Sequence, residues 1–208
     1  MEYPTNIDIS ELGISKFDIL LPLSGIMKDI TNAIIMEDGP ERWQLHAKAL
    51  RDVKKVRRQL AAWYRRWHDF VQPPPTKTIF TEFGRGDGRE SRIGYFIFYQ
   101  SYMVVYDRLY MTLDRTTTVE LEYKVREMAR SIINNPIVPQ NAASRIELAV
   151  AWRLATTLLG FAEEWEAWMR ARDTMPEDQL ILPPPEMWYR YLSYHGIFPP
   201  STGPHLFK

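Results

Sequence analysis

The sequence predicts an all-α fold: a single-domain array of about six helices around a central, largely buried helix. Apolar residues recur at helical steps over long stretches, no segment shows the strict alternation of a half-buried strand, and proline or capping signals separate the periodic segments. At 208 residues and 45% hydrophobic content, the chain can bury a substantial core in one domain.

Each element has its own signal. Leu23, Ile26, Ile30 and Ile34 follow helical spacing in the first, and the turn Glu-Asp-Gly-Pro at 37–40 ends it. In the second, Ala49, Val53, Val56, Leu60, Trp63, Trp67 and Phe70 step by four and three, which puts them on one face. Arg51, Lys54, Arg58 and Arg65 gather on the opposite side, and Gln-Pro-Pro-Pro at 72–75 stops the helix by removing backbone donors.

The third helix, at 93–113, is apolar around most of its circumference. Its polar residues come in pairs seven apart, Gln100 with Ser101, Asp107 with Arg108 and Asp114 with Arg115, and are expected to form one narrow stripe. The rest should be buried by neighbours, which makes this the central helix. Capping boxes are read at Thr117 with Glu120 and at Ser144 with Glu147, opening the fourth and fifth helices.

Tyr123, Met128 and Ile132 mark the fourth helix. Trp152, Ala155, Leu158, Leu159, Ala162, Trp165 and Met169 mark a single fifth helix over 145–172, and a short last helix at 187–194 follows Leu-Pro-Pro-Pro-Glu. The organisation read from these signals is an N-terminal extension at 1–16, a helical domain at 17–195 with a flexible loop at 72–90, and a tail at 196–208.

Composition removes several function classes. Lys plus Arg (26) balance Asp plus Glu (26), so the chain lacks the overall field of a polyanion binder. With no cysteine there is no disulfide, thiolate metal site or cysteine nucleophile. The start Met-Glu-Tyr-Pro-Thr-Asn has neither a basic run nor an apolar h-region, so the protein is expected not to be secreted. The uncharged run at 93–106 is too short to span a bilayer, so no membrane association is expected.

Chemistry is sparse. Nine Lys or Arg against three Asp or Glu between Glu41 and Phe70 give a local charge of +6. This is read as a solvated helix face, set against the acidic run of Glu163, Glu164 and Glu166, in preference to a phosphate-contacting surface. Trp63 and Trp67 lie on the apolar side, which makes them poor platforms for stacking on bases.

Phe-Gly-Arg-Gly-Asp-Gly-Arg-Glu at 83–90 matches neither a Walker loop nor a dinucleotide fingerprint and is read as a turn. His46, His68, His195 and His205 are too scattered for a zinc site, and no nucleophile elbow occurs. No catalytic, cofactor-binding or metal-ligating residue is therefore assigned, and no cofactor is expected. Two features stay open. Asp107 and Arg108 either line a pocket or form structural ion pairs, and the 13% aromatic content either fills the core or walls a ligand cavity.

The order of segments resembles the C-terminal regulatory region of fungal zinc binuclear-cluster transcription factors, the fungal-specific transcription factor domain. The likeness is carried by ILLPLSGIMKDITNAI, LHAKALRDVKKVRRQLAAWYRRW before its proline break, IGYFIFYQSYMVVYDRLY with its Arg108-Leu109 pair, and LAVAWRLATTLLGFAEEWEAWM. It covers about residues 17–194. The six-cysteine DNA-binding cluster of those regulators is missing, so no direct sequence-specific DNA binding by that module is expected.

The resemblance implies a non-enzymatic domain for transcription regulation, nuclear or cytoplasmic, of the kind that serves secondary metabolism. It would act by contacting a protein partner, either a full-length regulator or a second copy of itself, and could hold a small apolar ligand. The alternative is a cofactor-independent cyclase or isomerase acting on an apolar metabolite in an aromatic-lined cavity, with Asp107, Arg108 or Tyr102 as polar handles. A closed cavity with converging polar groups would favour the enzyme; a solid core with an exposed apolar groove would favour the interaction domain.

Overall fold

The computed structural model describes residues 9–71, 89–134, 142–176 and 179–194. Among them are seven helices and no strand: α1 (Ile9–Ile35), α2 (Pro40–Val71), α3 (Arg89–Leu113), α4 (Val119–Ile133), α5 (Ala142–Gly160), α6 (Ala162–Asp173) and α7 (Pro185–Tyr194). The loop expected at 72–90 lies outside the described residues except for its last two positions, which open α3. The tail at 196–208 lies outside them altogether.

Proline sets several boundaries. Pro40 and Pro185 are the first residues of α2 and α7, where a missing N–H costs nothing because that donor has no helical partner. Pro22 lies inside α1, which runs further towards the N-terminus than its apolar periodicity does. Beside the gap that Pro22 leaves in the helical ladder, the Ile19 carbonyl accepts a hydrogen bond from the Tyr106 hydroxyl at 2.7 Å, tying α1 to α3.

α1 packs on α2, α2 on α3, and α3 on both α4 and α5. This gives α3 two cores to serve. One contains Ile26 and Ile30 of α1, Val53, Leu60, Trp63 and Trp67 of α2, Phe98, Val105, Tyr106 and Leu109 of α3, and Trp165, Trp188 and Tyr191 beyond. The other joins Ile97, Val104 and Met111 of α3 to Val125, Ala129 and Ile132 of α4 and to Leu148, Ala155 and Leu158 of α5. A helix walled by core on two sides must be apolar nearly all round, as the sequence of α3 is.

α2 follows its expected pattern. Ala49, Val53, Val56, Leu60, Trp63 and Trp67 are all buried, while Arg51, Arg58 and Arg65 are exposed. The side chain of Phe70 lies outside the described set. Trp63 meets Phe98 edge-on with ring centroids 5.6 Å apart, a favoured aromatic geometry.

Three local expectations are corrected. The polar pairs of α3 do not form one stripe, because neighbouring helical residues point about 100° apart. Gln100, Asp107 and Asp114 make one row and Ser101, Arg108 and Arg115 another. The single helix expected over 145–172 breaks at Gly160-Phe161 into α5 and α6, at the residue type least suited to a helix interior after proline.

The capping box at Thr117 does not form either. Its hydroxyl donates instead to the Asp114 carbonyl (2.8 Å), and Thr118 precedes α4 without a side-chain cap. Ser144 falls within α5, and its side chain lies outside the described set.

Gly25 sits exposed within α1, and a Cβ built there meets nothing within 4 Å. Gly25→Ala should therefore stabilise the protein by about 0.5–1 kcal/mol, through reduced unfolded-state entropy. A lower melting temperature in the variant would contradict this placement.

Candidate functional site

The two polar rows of α3 face different neighbours and make two different sites. The row with Arg108 faces inward. Its guanidinium is fully buried, and Nη2 donates to Glu122 Oε1 at 2.8 Å while Nη1 lies 2.8 Å from Oε2. Arg126 donates to the same Glu122 (3.0 Å), to Glu166 (2.7 Å) and to the Ala162 carbonyl (2.7 Å). The Trp165 ring covers the Arg108 guanidinium at 4.9 Å. This is a structural ion network inside the core.

The row with Asp107 faces α2. Arg57 Nη2 lies 2.5 Å from Asp107 Oδ1, and its guanidinium covers the Tyr110 ring at 4.2 Å. Lys54 Nζ lies 2.7 Å from Asp114 Oδ2 and 5.5 Å from the same ring. Burial raises the Asp107 carboxyl above its ordinary value, with Arg57 opposing. Asp114 ends the other way. Burial pushes it up, but hydrogen bonds from Lys54, Thr116 and Tyr110 outweigh that and hold it below the usual carboxylate range.

Residue numbers rise along α2 as they fall along its partners on α3, so the two helices run antiparallel. The seam reads Lys54 and Arg57 against Tyr110, then Ala61 against Met103, then Tyr64 stacked on Tyr99 at 3.9 Å. Ala61 is the smallest side chain in this series. Around it lies a depression of about 470 Å³, wide open to solvent, lined by Lys54, Arg57, Arg58, Ala61, Met103 and Tyr110.

Along the outer edge runs a basic row: Arg51, Lys55, Arg58 and Arg65, all exposed. At 100° per residue they fall within roughly 80° of arc. Among the described residues, no carboxylate pairs with any of them. Lys54 is corrected out of this set, since it lies at the edge of the face and is neutralised by Asp114. The acidic run is corrected too. Glu164 pairs with Arg190 and Glu166 with Arg126 and Arg170, so neither answers the charge of α2.

Other candidates do not assemble. Asp107 turns to α2 and Arg108 turns to α4, so these two polar handles of an enzyme do not converge, while the Tyr102 ring packs against Phe98 at 4.8 Å. His46 Nε2 donates to the Leu113 carbonyl at 2.8 Å, and burial lowers its pKa. His68 lies beside Asp69 and edge-on to Tyr64. His195, His205 and the glycine-rich turn, apart from the backbone of its last two residues, lie outside the described residues. Among the described residues no three His, Asp or Glu side chains are grouped to hold a metal, and no helix is long and apolar enough to cross a membrane.

Sequence reasoning missed Lys55, Ala61 and Met103. The signal was present in part: Ala61 lies four residues after Arg57 and three before Tyr64, a gap between two long side chains on one row. Comparison with protein-family models, with curated proteins and with solved structures gives no significant match.

Two outcomes test these assignments. Arg108→Met or Glu122→Leu alone should cost about 3–5 kcal/mol in urea unfolding by stranding a buried charge, whereas the double variant should recover most of the loss. A double variant no more stable than either single one would remove the network from the core.

Asp114, depressed on folding, contributes stability that is fully present above about pH 4 and is lost as pH falls from there towards its folded value. Asp114→Asn should thus cost about 1.5–3 kcal/mol at neutral pH and progressively less in acid. A penalty independent of pH would refute the pairing. Asp107 gives no such gain, because its folded value lies above the ordinary one.

Proposed function

We propose that this chain is a non-enzymatic, transcription-regulator-like domain that acts through protein contacts and has no DNA-binding zinc cluster of its own. The observation that carries this reading is the unanswered row Arg51, Lys55, Arg58 and Arg65 beside an open depression on the α2–α3 seam. Four exposed cations on a helix whose other face is buried in core form a surface ready for an external acidic partner.

The resemblance of the segment order to the regulatory region of fungal zinc-cluster regulators supports the same class. The second depression that stands out among the described residues, at Asp38, Gly39, Pro40 and Trp43, is likewise open. With Asp107 paired to Arg57 and Arg108 to Glu122, the cyclase or isomerase reading finds little support. A nuclear or cytoplasmic site of action belongs to the proposal, as does a partner that is either a full-length regulator or a second copy.

The test is the quadruple variant R51E/K55E/R58E/R65E, which changes only exposed side chains and should keep its helical content and melting temperature. Quantitative affinity capture from the native cell should show its protein partners depleted about tenfold or more relative to wild type, the loss expected when interface charges are reversed. An identical partner set would sink the proposal.

A further inference from the structure

The depression at Ala61 and the basic row beside it point to a particular kind of partner. We propose that the α2–α3 seam receives an acidic amphipathic helical segment of another protein, which inserts one large apolar side chain between Arg58, Ala61 and Met103 while its carboxylates meet Arg51, Lys55, Arg58 and Arg65. This rests on the interaction-domain reading and deepens it.

Shape argues first. The depression lies at Ala61, a small residue that shares its lining with Arg58 and Met103, and the Arg57–Tyr110 contact forms one wall. That wall is held from behind by the ion pair of Arg57 with Asp107. Its volume of about 470 Å³ has room for a large apolar side chain. Met103 supplies an adaptable, polarisable floor of the kind used where apolar side chains of varied shape must fit.

Charge argues second. The row from Arg51 to Arg65 spans about 21 Å at 1.5 Å per residue, which is roughly four helical turns. That length suits a helix laid along the seam, presenting acidic residues at one edge and its apolar side downward. A nucleic-acid backbone fits less well. It would leave the apolar floor unused, and Asp107 and Asp114 lie directly behind Arg57 and Lys54, where they oppose a polyphosphate.

The experiment uses the full chain and a fluorescein-labelled helical peptide of about four turns, rich in Glu, with a single central Phe. Fluorescence anisotropy should give a Kd in the range of about 10–100 μM, and a methyl-labelled sample should show the Met103 signal shifting during the titration. Each of four changes should weaken binding about tenfold or more: Glu→Gln throughout the peptide, Phe→Ala in the peptide, K55E/R58E in the protein, and Ala61→Trp, which fills the depression and leaves every charge in place.

If Ala61→Trp disturbs folding, the Phe→Ala peptide still tests the pocket. Equal binding of that peptide would overturn the proposal, as would tighter and steeply salt-dependent binding of a random DNA duplex. Absence of peptide binding, combined with partner loss in the cell for the quadruple variant, would overturn this inference and leave the interaction-domain reading standing.

Discussion

The fold is organised by a guanidinium that has no access to water. An arginine cannot discharge itself by releasing a proton under ordinary conditions, so Arg108 must have a carboxylate beside it, and the arrangement that supplies one fixes the helices around it. Glu122 brings α4 against α3; Arg126, held by the same Glu122, reaches Glu166 and the Ala162 carbonyl and so brings in the start of α6. Trp165 lies over the Arg108 guanidinium, while Arg108 Nε and Trp165 Nε1 find no acceptor. Such a network adds little net stability compared with a hydrocarbon core, yet it penalises every other packing of α3, α4 and α6, because each would strand a charge.

A second constraint ties the far end of α3 to the end of α6. Arg172 donates to the Met111 carbonyl at 2.7 Å, satisfying an acceptor in the last turn of α3. Arg115, just after α3, donates in turn to the carbonyls of Arg172, Met175 and Pro176. The two helix ends thus cap each other, with each cation also favourably placed against the negative end of a helix dipole. Asp114, next to Arg115 in sequence and with its carbonyl 3.5 Å from Arg172 Nη1, turns its side chain to Lys54 on α2.

The long-range plan was legible because it rests on periodicity. The inward set of α2 from Ala49 to Trp67 and the central position of α3 follow from spacing and composition alone. What could not be read was pairing. Whether Asp107 and Arg108 answer each other or different helices depends on which residues stand opposite them, and Arg57 and Glu122 are 50 and 14 residues away. The same holds for the acidic run of α6, whose partners Arg126 and Arg190 become visible only once α4 and α7 are placed. Local signals failed where a competing local bond existed, as when the Thr117 hydroxyl took the Asp114 carbonyl in preference to a cap.

The basic row stands apart from this economy of charge. Among the described residues, Arg108, Arg126, Arg57, Lys54 and Arg190 each meet a carboxylate, whereas Arg51, Lys55, Arg58 and Arg65 do not. Along a helix, like charges four or three residues apart, as in Arg51 with Lys55 and Lys55 with Arg58, cost roughly 0.2–0.5 kcal/mol each. Nothing in the packing of α2 requires them, since that face touches no core. Departures from local consistency with no structural gain are where functional sites are to be sought. In this chain the departure coincides with the place where a small residue, Ala61, lines an open depression beside the Arg57–Tyr110 contact, and the proposed partner accounts for both features with a single contact.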